Sequence, residues 1–214
     1  MVNLFLLPIL IIMFINWLVI LRGTSSLKVI TNSLATASLL VWVCLAGQWD
    51  KQLFWFAGGL LFSIAGNLLL AFQEKNNAFI TGHFLLALTY LSFLLGLTPA
   101  LPRINLASIF ITIILCLTTV QICVRLVESL TKKGKTELRI PVVIYLAILS
   151  AFLLSALLTL ISGENWNDLH AYLVSFGAMS IFISNVLLIW DRLVRLLSHG
   201  AKASTIVFQA GQLG

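Results

Sequence analysis

The chain has 214 residues, of which 60% are apolar and 9% are charged, whereas soluble domains are roughly 45–50% apolar and about 25% charged. Together with a mean hydropathy of +1.08, this composition predicts a polytopic membrane protein and excludes secreted and nucleic-acid-binding domains. In such a protein, a formal net charge of +6 is first explained by an excess of Lys and Arg in the cytoplasmic loops, which orients membrane helices.

Apolar runs separated by charged or turn-rich breaks predict seven full membrane spans. The spans are Leu4–Leu21, Val29–Ala46, Leu53–Phe72, Ala78–Leu97, Ile104–Val124, Ile140–Ile161 and Leu169–Trp190. An eighth run begins near Ala203 and is shorter than the ~20 residues of a full crossing, so either it stops partway through the bilayer or the chain lacks its natural end. We therefore expect an all-α, polytopic integral membrane helix bundle of eight segments, folded as a single domain over residues 1–214.

Loop charges predict the orientation of these spans. Arg22 follows the first apolar run and no basic residue precedes it, which is the charge order of a span with an outside N-terminus rather than of a cleaved signal peptide. Loops after odd-numbered spans hold 11 Lys and Arg residues, whereas the other loops hold only Lys51 and Arg103. The odd loops are therefore predicted to be cytoplasmic, in the cell membrane if the source is bacterial.

The interior of the predicted spans lacks formal charges and carries uncharged polar side chains instead. These are Asn16, Asn32, Asn67, His83, Gln121, Tyr145, Asn185 and Gln209. Five of them lie six residues from a cytoplasmic span end, a depth of about 9 Å. The common depth predicts a polar-lined cavity open to the cytoplasm, and the alternative is that each residue forms a separate interhelical hydrogen bond.

Small residues and a short internal similarity indicate how helices approach one another. Gly59, Ser63 and Asn67 form one small-residue stripe, and Gly177, Ser180 and Ser184 form another, which predicts close helix packing. The segments 65–70 and 183–188 resemble each other on spans that run in the same direction, which is consistent with a four-plus-four parallel repeat.

Cysteine usage offers no sign of a metal or redox centre. Cys44, Cys116 and Cys123 lie in apolar runs without His or acidic neighbours at ligand spacing. We interpret them as packing residues, and we expect no metal and no cofactor.

Several short motifs follow one another along the predicted spans in a fixed order. They are Gly66-Asn67-Leu68-Leu69-Leu70, Phe79-Ile80-Thr81-Gly82, Leu138-Arg139-Ile140-Pro141 with Tyr145, Phe176-Gly177-Ala178, Phe182-Ile183-Ser184-Asn185 and Ala210-Gly211-Gln212. In order and spacing they resemble the YhhN family of eight-span membrane proteins, which includes lysoplasmalogenases.

Three departures from the family pattern remove charged or titratable groups. Asn32-Ser33 stands where the family usually has Lys-Pro, Asn67 stands where it has Asp, and Ala87-Leu88 stands where it has Ala-His. Chemistry that depends on these groups has to use other residues in this chain.

The resemblance implies a hydrolase that cleaves the vinyl-ether bond of a lysoplasmalogen to a fatty aldehyde and a glycerophospho-alcohol. Such a reaction needs a proton donor, and the candidates are His83 and the two acids at the cytoplasmic ends of the spans, Asp191 and Glu74. Asn67 and Asn185 can position water or the ether oxygen. The expected partner is a lysophospholipid or another single-chain lipid in the bilayer, not a nucleic acid.

The further residues expected to bind the substrate are Asn16, Asn32, Tyr145 and Arg139. Lys132 and Lys133 are expected near the phosphate together with Arg139. Two alternatives stay open at this point. One is a catalytically impaired family member that binds lipid, and the other is a small-solute transporter or a membrane scaffold, which alternating access to the polar residues would distinguish.

Overall fold

The computed structural model describes residues 6–22, 25–46, 51–70, 76–97, 105–161, 168–194 and 200–213. Within these ranges the protein contains eight α-helices and one short 3₁₀ helix, Thr136–Leu138, and no strand. The helices are α1 Leu6–Arg22, α2 Ser25–Ala46, α3 Lys51–Leu70, α4 Asn76–Leu97, α5 Leu106–Lys132, α6 Arg139–Thr159, α7 Asp168–Leu193 and α8 Gly200–Leu213. This architecture confirms the predicted all-α fold class.

Five of the described helices are long and apolar enough to cross a membrane, which supports an integral membrane protein. They are α3 to α7. The apolar parts described in α1 and α2 are shorter, Leu10–Val19 and Thr31–Leu45, so a full crossing by these two helices stays a prediction. Helix α8 has 14 residues and is short, as expected from the sequence.

The chain divides into two compact units with four helices each. Unit 1 is Met1–Gly96 and holds α1 to α4, and unit 2 is Leu97–Gly214 and holds α5 to α8. The single domain over residues 1–214 and the parallel repeat of segments 65–70 and 183–188 both stay predictions.

In unit 1, α3 and α4 approach each other through glycines. A Cβ atom built on Gly66 would lie 3.1 Å from the carbonyl oxygen of Gly82, and one built on Gly59 would lie 3.2 Å from that of Thr89. Gly59 and Gly66 are seven residues apart on α3, as are Gly82 and Thr89 on α4. Seven residues correspond to about two helical turns. Glycine at these positions allows the backbones to come close. Gly59 belongs to the predicted small-residue stripe, whereas Gly66 does not.

In unit 2, α7 and α8 use the same spacing. A Cβ atom on Gly211 would lie 2.6 Å from the carbonyl oxygen of Gly177. Seven residues away on each helix, the Ser184 hydroxyl donates to the Ser204 carbonyl at 2.5 Å, and the Ser204 hydroxyl donates to the Ser184 carbonyl at 3.0 Å. The third and fourth helices of both units therefore pack through small residues at matching intervals.

Helix α5 ends eight residues later than the predicted span, at Lys132 instead of Val124. Its extra turns bury Leu126 and Leu130, and the chain then reverses at Gly134, whose φ of +69° favours glycine. The Ser129 hydroxyl donates to the Leu193 carbonyl at 2.6 Å. The α5–α6 turn and the end of α7 therefore lie on the same side of unit 2.

Candidate functional site

A buried polar pair in unit 2 joins α6 to α7. Tyr145 is 2% exposed and Asn185 is 3% exposed, and the Tyr145 hydroxyl donates to Asn185 Oδ1 at 2.6 Å. Asn185 Nδ2 donates to the Ile181 carbonyl at 2.8 Å. These contacts use both ends of the amide and fix its orientation. The structure thus brings together two residues that the sequence analysis placed at one depth.

The local sequence explains how Tyr145 reaches this position. Helix α6 begins at Arg139, directly after the 3₁₀ helix, and Pro141 lies in its first turn, where a proline costs no intrahelical hydrogen bond. Leu138 and Val142 are buried and anchor this turn. Tyr145 then follows almost two turns into α6, on the buried side.

Arg139 and Asp191 lie at the rim of unit 2. Each is half-buried and lies six residues from the buried pair, Arg139 before Tyr145 on α6 and Asp191 after Asn185 on α7. At 1.5 Å per residue, the rim is about 9 Å from the pair along each helix. Arg139 Nη2 donates to the Thr131 hydroxyl at 2.6 Å, which orients the guanidinium. Unit 2 therefore places a cation and a carboxylate on the helices that carry the Tyr145–Asn185 pair.

In unit 1, His83 and Asn67 each directly follow a glycine of the α3–α4 contact, Gly82 and Gly66 respectively. Because these glycines meet, His83 and Asn67 lie at one level of the unit. Asn67 is half-buried and its Nδ2 donates to the Ser63 hydroxyl at 3.3 Å. Their predicted common depth in the bilayer stays a prediction.

His83 is buried on α4 against the residue one turn earlier. Its Nδ1 lies 2.9 Å from the Phe79 carbonyl, and the two rings stand 4.1 Å apart between centroids. A carbonyl oxygen only accepts, so Nδ1 is the protonated nitrogen in this contact. A buried imidazole held in one tautomer can take up and return a proton through its other nitrogen.

Asn16 and Asn32 lie on α1 and α2 of unit 1. Asn16 is fully buried, and its Oδ1 accepts a short hydrogen bond from the Thr31 hydroxyl. Asn32 is half-buried, and its backbone carbonyl accepts from the Thr36 hydroxyl at 3.3 Å. Asn16 therefore links the two helices through Thr31, the neighbour of Asn32.

Sequence reasoning did not identify Thr31 as the partner of Asn16, or Ser204 as the partner of Ser184. Thr31 lies six residues after the start of α2, which is the same interval from a helix end as that of Asn16. Ser204 precedes Gly211 by seven residues, the interval that separates Ser184 from Gly177. Both intervals are visible in the sequence, but the pairing of faces is not.

Other expectations for the polar residues have different outcomes. Gln121 is exposed on α5 and does not share the buried position of Tyr145 or Asn185. Glu74 and the side chain of Gln209 lie outside the described residues. The convergence of Asn67, His83, Tyr145 and Asn185 on one cavity stays a prediction. Among the described residues, no group of three or more His, Cys, Asp or Glu side chains is arranged to hold a metal ion.

Comparison with protein families gives one finding. The model of the YhhN family matches residues 27–214, from the third residue of α2 through α8. The match therefore includes every candidate residue except Asn16. Comparison with curated proteins gives no significant match, and comparison with solved structures gives none either.

Proposed function

The chain belongs to the YhhN family, and we propose that it is a lysoplasmalogenase-like membrane hydrolase. Its substrate on this proposal is a lysoplasmalogen, a single-chain phospholipid whose tail is joined to glycerol through a vinyl ether. The observation that carries the proposal is the buried His83 at the α3–α4 contact. An imidazole can deliver a proton, whereas the other polar side chains singled out in the predicted spans are amides and a hydroxyl.

The reaction consumes one water molecule and breaks one carbon–oxygen bond. A proton adds to the vinyl carbon that is not bonded to oxygen, which leaves an oxocarbenium ion at the neighbouring carbon. Water adds to this ion and loses a proton, and the resulting hemiacetal collapses to a fatty aldehyde and a glycerophospho-alcohol. Proton delivery and water placement are therefore the two tasks of the protein.

We assign proton delivery to His83, with Asp191 as the acid at the rim of unit 2. Asn67 lies at the level of His83 and, like Asn185, carries an amide that can hold water or the ether oxygen. An amide is too weak an acid or base to deliver the reacting proton, so both asparagines act by positioning. The proposal gives each catalytic candidate a role that its side chain can perform.

The substrate-binding roles follow from the same distribution of polar groups. Arg139 offers a guanidinium, oriented by Thr131, to the lipid phosphate at the rim. On this proposal, Tyr145 in unit 2 supplies a neutral hydrogen-bonding group for the substrate, as do Asn16 and Asn32 in unit 1, and the apolar helices accommodate the tail. This arrangement fits a lipid with one chain and a polar headgroup.

A second candidate function is lipid binding without hydrolysis. It is favoured by the absence of a carboxylate from the middle of any described helix, since Glu128, Glu137, Asp168 and Asp191 all lie near helix ends. The amide of Asn185 also already accepts a hydrogen bond from Tyr145 and donates one to the Ile181 carbonyl. Both features suit a stable lipid pocket as well as a reaction centre.

A product assay separates the two candidates. The purified full chain is incubated with a lysoplasmalogen or with its saturated alkyl-ether analogue, and both products are quantified. Hydrolysis predicts equimolar aldehyde and glycerophospho-alcohol from the vinyl ether only, with His83→Gln reducing the rate. If correctly folded protein binds both lipids and releases aldehyde from neither, the second candidate is the function.

A further inference from the structure

The turn between α5 and α6 carries a concentrated positive charge. Five of the 13 Lys and Arg residues of the chain fall within residues 125–139, together with two carboxylates, so this short segment has a net charge of +3. The cations are Arg125, Lys132, Lys133, Lys135 and Arg139, and the acids are Glu128 and Glu137. We call this segment the basic turn.

The charge of the basic turn is not neutralised by neighbouring side chains. Within the described part of the chain, none of its seven charged side chains forms an ion pair, although Glu128 lies one helical turn before Lys132. Lys133 donates to the Val194 carbonyl at 3.4 Å, which neutralises no charge. Arg125, Lys132 and Lys135 are exposed. These three cations are therefore available to an external anion.

The basic turn is also anchored to the rest of unit 2 by buried side chains and hydrogen bonds. Three of its own side chains, Leu126, Leu130 and Leu138, are at most 2% exposed and anchor it in the core of unit 2. The Ser129 hydroxyl and the Lys133 ammonium both donate to carbonyls at the end of α7. A cation on an anchored backbone loses less conformational freedom when it binds an anion than one on a mobile loop does.

The position of the basic turn along α5 indicates which anion it meets. From Leu106 to Val124, α5 presents exposed apolar side chains over about 28 Å, close to the ~30 Å thickness of bilayer hydrocarbon. Arg125 directly follows this apolar stretch, and Lys132 lies about 10 Å further along the axis. The exposed cations thus begin where the hydrocarbon ends and extend through the depth of the lipid headgroups.

We propose that the basic turn binds the phosphate groups of anionic phospholipids in the leaflet where α5 and α6 meet. Continuity between the exposed apolar face of α5 and the exposed cations favours lipid over a soluble acidic partner, because one lipid molecule satisfies both surfaces. This surface adjoins the proposed substrate site, with which it shares Arg139, but retention of phospholipid by the basic turn does not depend on hydrolysis. It gives the protein a preference for an anionic lipid environment.

Native mass spectrometry of the purified full chain tests this proposal. The protein is offered equal amounts of phosphatidylglycerol and phosphatidylcholine with identical acyl chains, and retained lipids are counted. Each cation near an anionic surface contributes about fivefold to binding, so Lys132→Gln with Lys135→Gln should weaken phosphatidylglycerol retention by roughly 30-fold. The matched control, Arg22→Gln with Lys51→Gln, removes two exposed cations from unit 1 and should retain the wild-type preference.

Three outcomes would overturn the proposal. Equal retention of the two lipids by the wild type would show that the turn does not select anionic headgroups. An equal loss in the two double variants would show that total charge, not the basic turn, determines retention. Binding of soluble polyglutamate that the Lys132→Gln and Lys135→Gln substitutions abolish, without phosphatidylglycerol preference, would assign the surface to an acidic soluble partner. Unchanged melting of both variants in detergent would exclude unfolding as the cause.

Discussion

At the scale of single residues, Asn67 is the position where replacing an amide by a carboxyl has the clearest expected effect. The Asn67→Asp substitution restores the acid of the family pattern at the level of His83. A placed general acid or base contributes about 10²–10⁴ to rate, so aldehyde release should rise by a factor in this range. The folding cost should be small, because a carboxyl in a hydrated site can protonate. Initial rates with a lysoplasmalogen measure the change.

Gln121→Glu provides the matched control for Asn67→Asp. It also introduces a carboxyl into a predicted span, but at an exposed position on α5. Its rate should equal that of the wild type. If both substitutions raise the rate alike, or if Asn67→Asp has no effect in folded protein, the role of Asn67 is wrong.

Tyr145 is expected to contribute to stability through its hydrogen bond with Asn185. Tyr145→Phe leaves the buried Asn185 Oδ1 without its donor. Side-chain hydrogen bonds within membranes average about 0.6 kcal/mol and reach at most about 2 kcal/mol, so unfolding free energy should fall by an amount in this range. Reversible unfolding in mixed detergent measures it, and Tyr172→Phe, at an exposed position of α7, should be neutral. Equal stability of both variants would contradict the pairing.

At the scale of helices, the α7–α8 contact depends on the absence of a side chain at Gly211. Gly211→Ala places a Cβ atom 2.6 Å from the backbone oxygen of Gly177, which cannot rotate away, so the helices must separate. The expected result is a lower melting temperature. Gly58→Ala is the matched control, because a Cβ atom there meets nothing within 4 Å and alanine favours helix. A melting temperature for Gly211→Ala at or above that of Gly58→Ala would contradict the described contact.

Helix positions were largely predictable from the sequence, because apolar run length is set by the bilayer. The exception is α5, which continues through Arg125 to Lys132. Charged residues end a membrane span but not a helix, and only Gly134 with its positive φ reverses the chain. The location of α5 along the chain was therefore predictable, whereas the end of the helix required the turn geometry.

The position of each candidate residue along its helix was predictable, but its contacts were not. Gln121 and Tyr145 were assigned to the same layer, yet Gln121 is exposed and Tyr145 is buried against Asn185. A residue's distance along a helix follows from counting, while the face that it presents depends on how neighbouring helices pack. The same reason explains why Thr31, the partner of Asn16, was not identified.

At the scale of the whole molecule, charge distribution predicts one orientation in the membrane. Lys135 in the basic turn and Lys51 at the start of α3 are both exposed and belong to opposite predicted sides. In a background without Cys44, Cys116 and Cys123, an impermeant thiol reagent should label Lys51→Cys in intact cells. It should label Lys135→Cys only after permeabilisation. The reverse pattern would invert the topology and place the polar side chains of the predicted spans in the outer half of the bilayer.

Solvent-deuterium labelling of the product is the measurement that tests the proposed hydrolysis most directly. The full chain is given a lysoplasmalogen in D₂O, and the released aldehyde is reduced at once to prevent exchange. Protonation of the vinyl carbon predicts one solvent deuterium on the carbon next to the former aldehyde carbon, and little such product with His83→Gln. Absence of aldehyde above the protein-free control, or aldehyde without solvent deuterium, would contradict the proposed function.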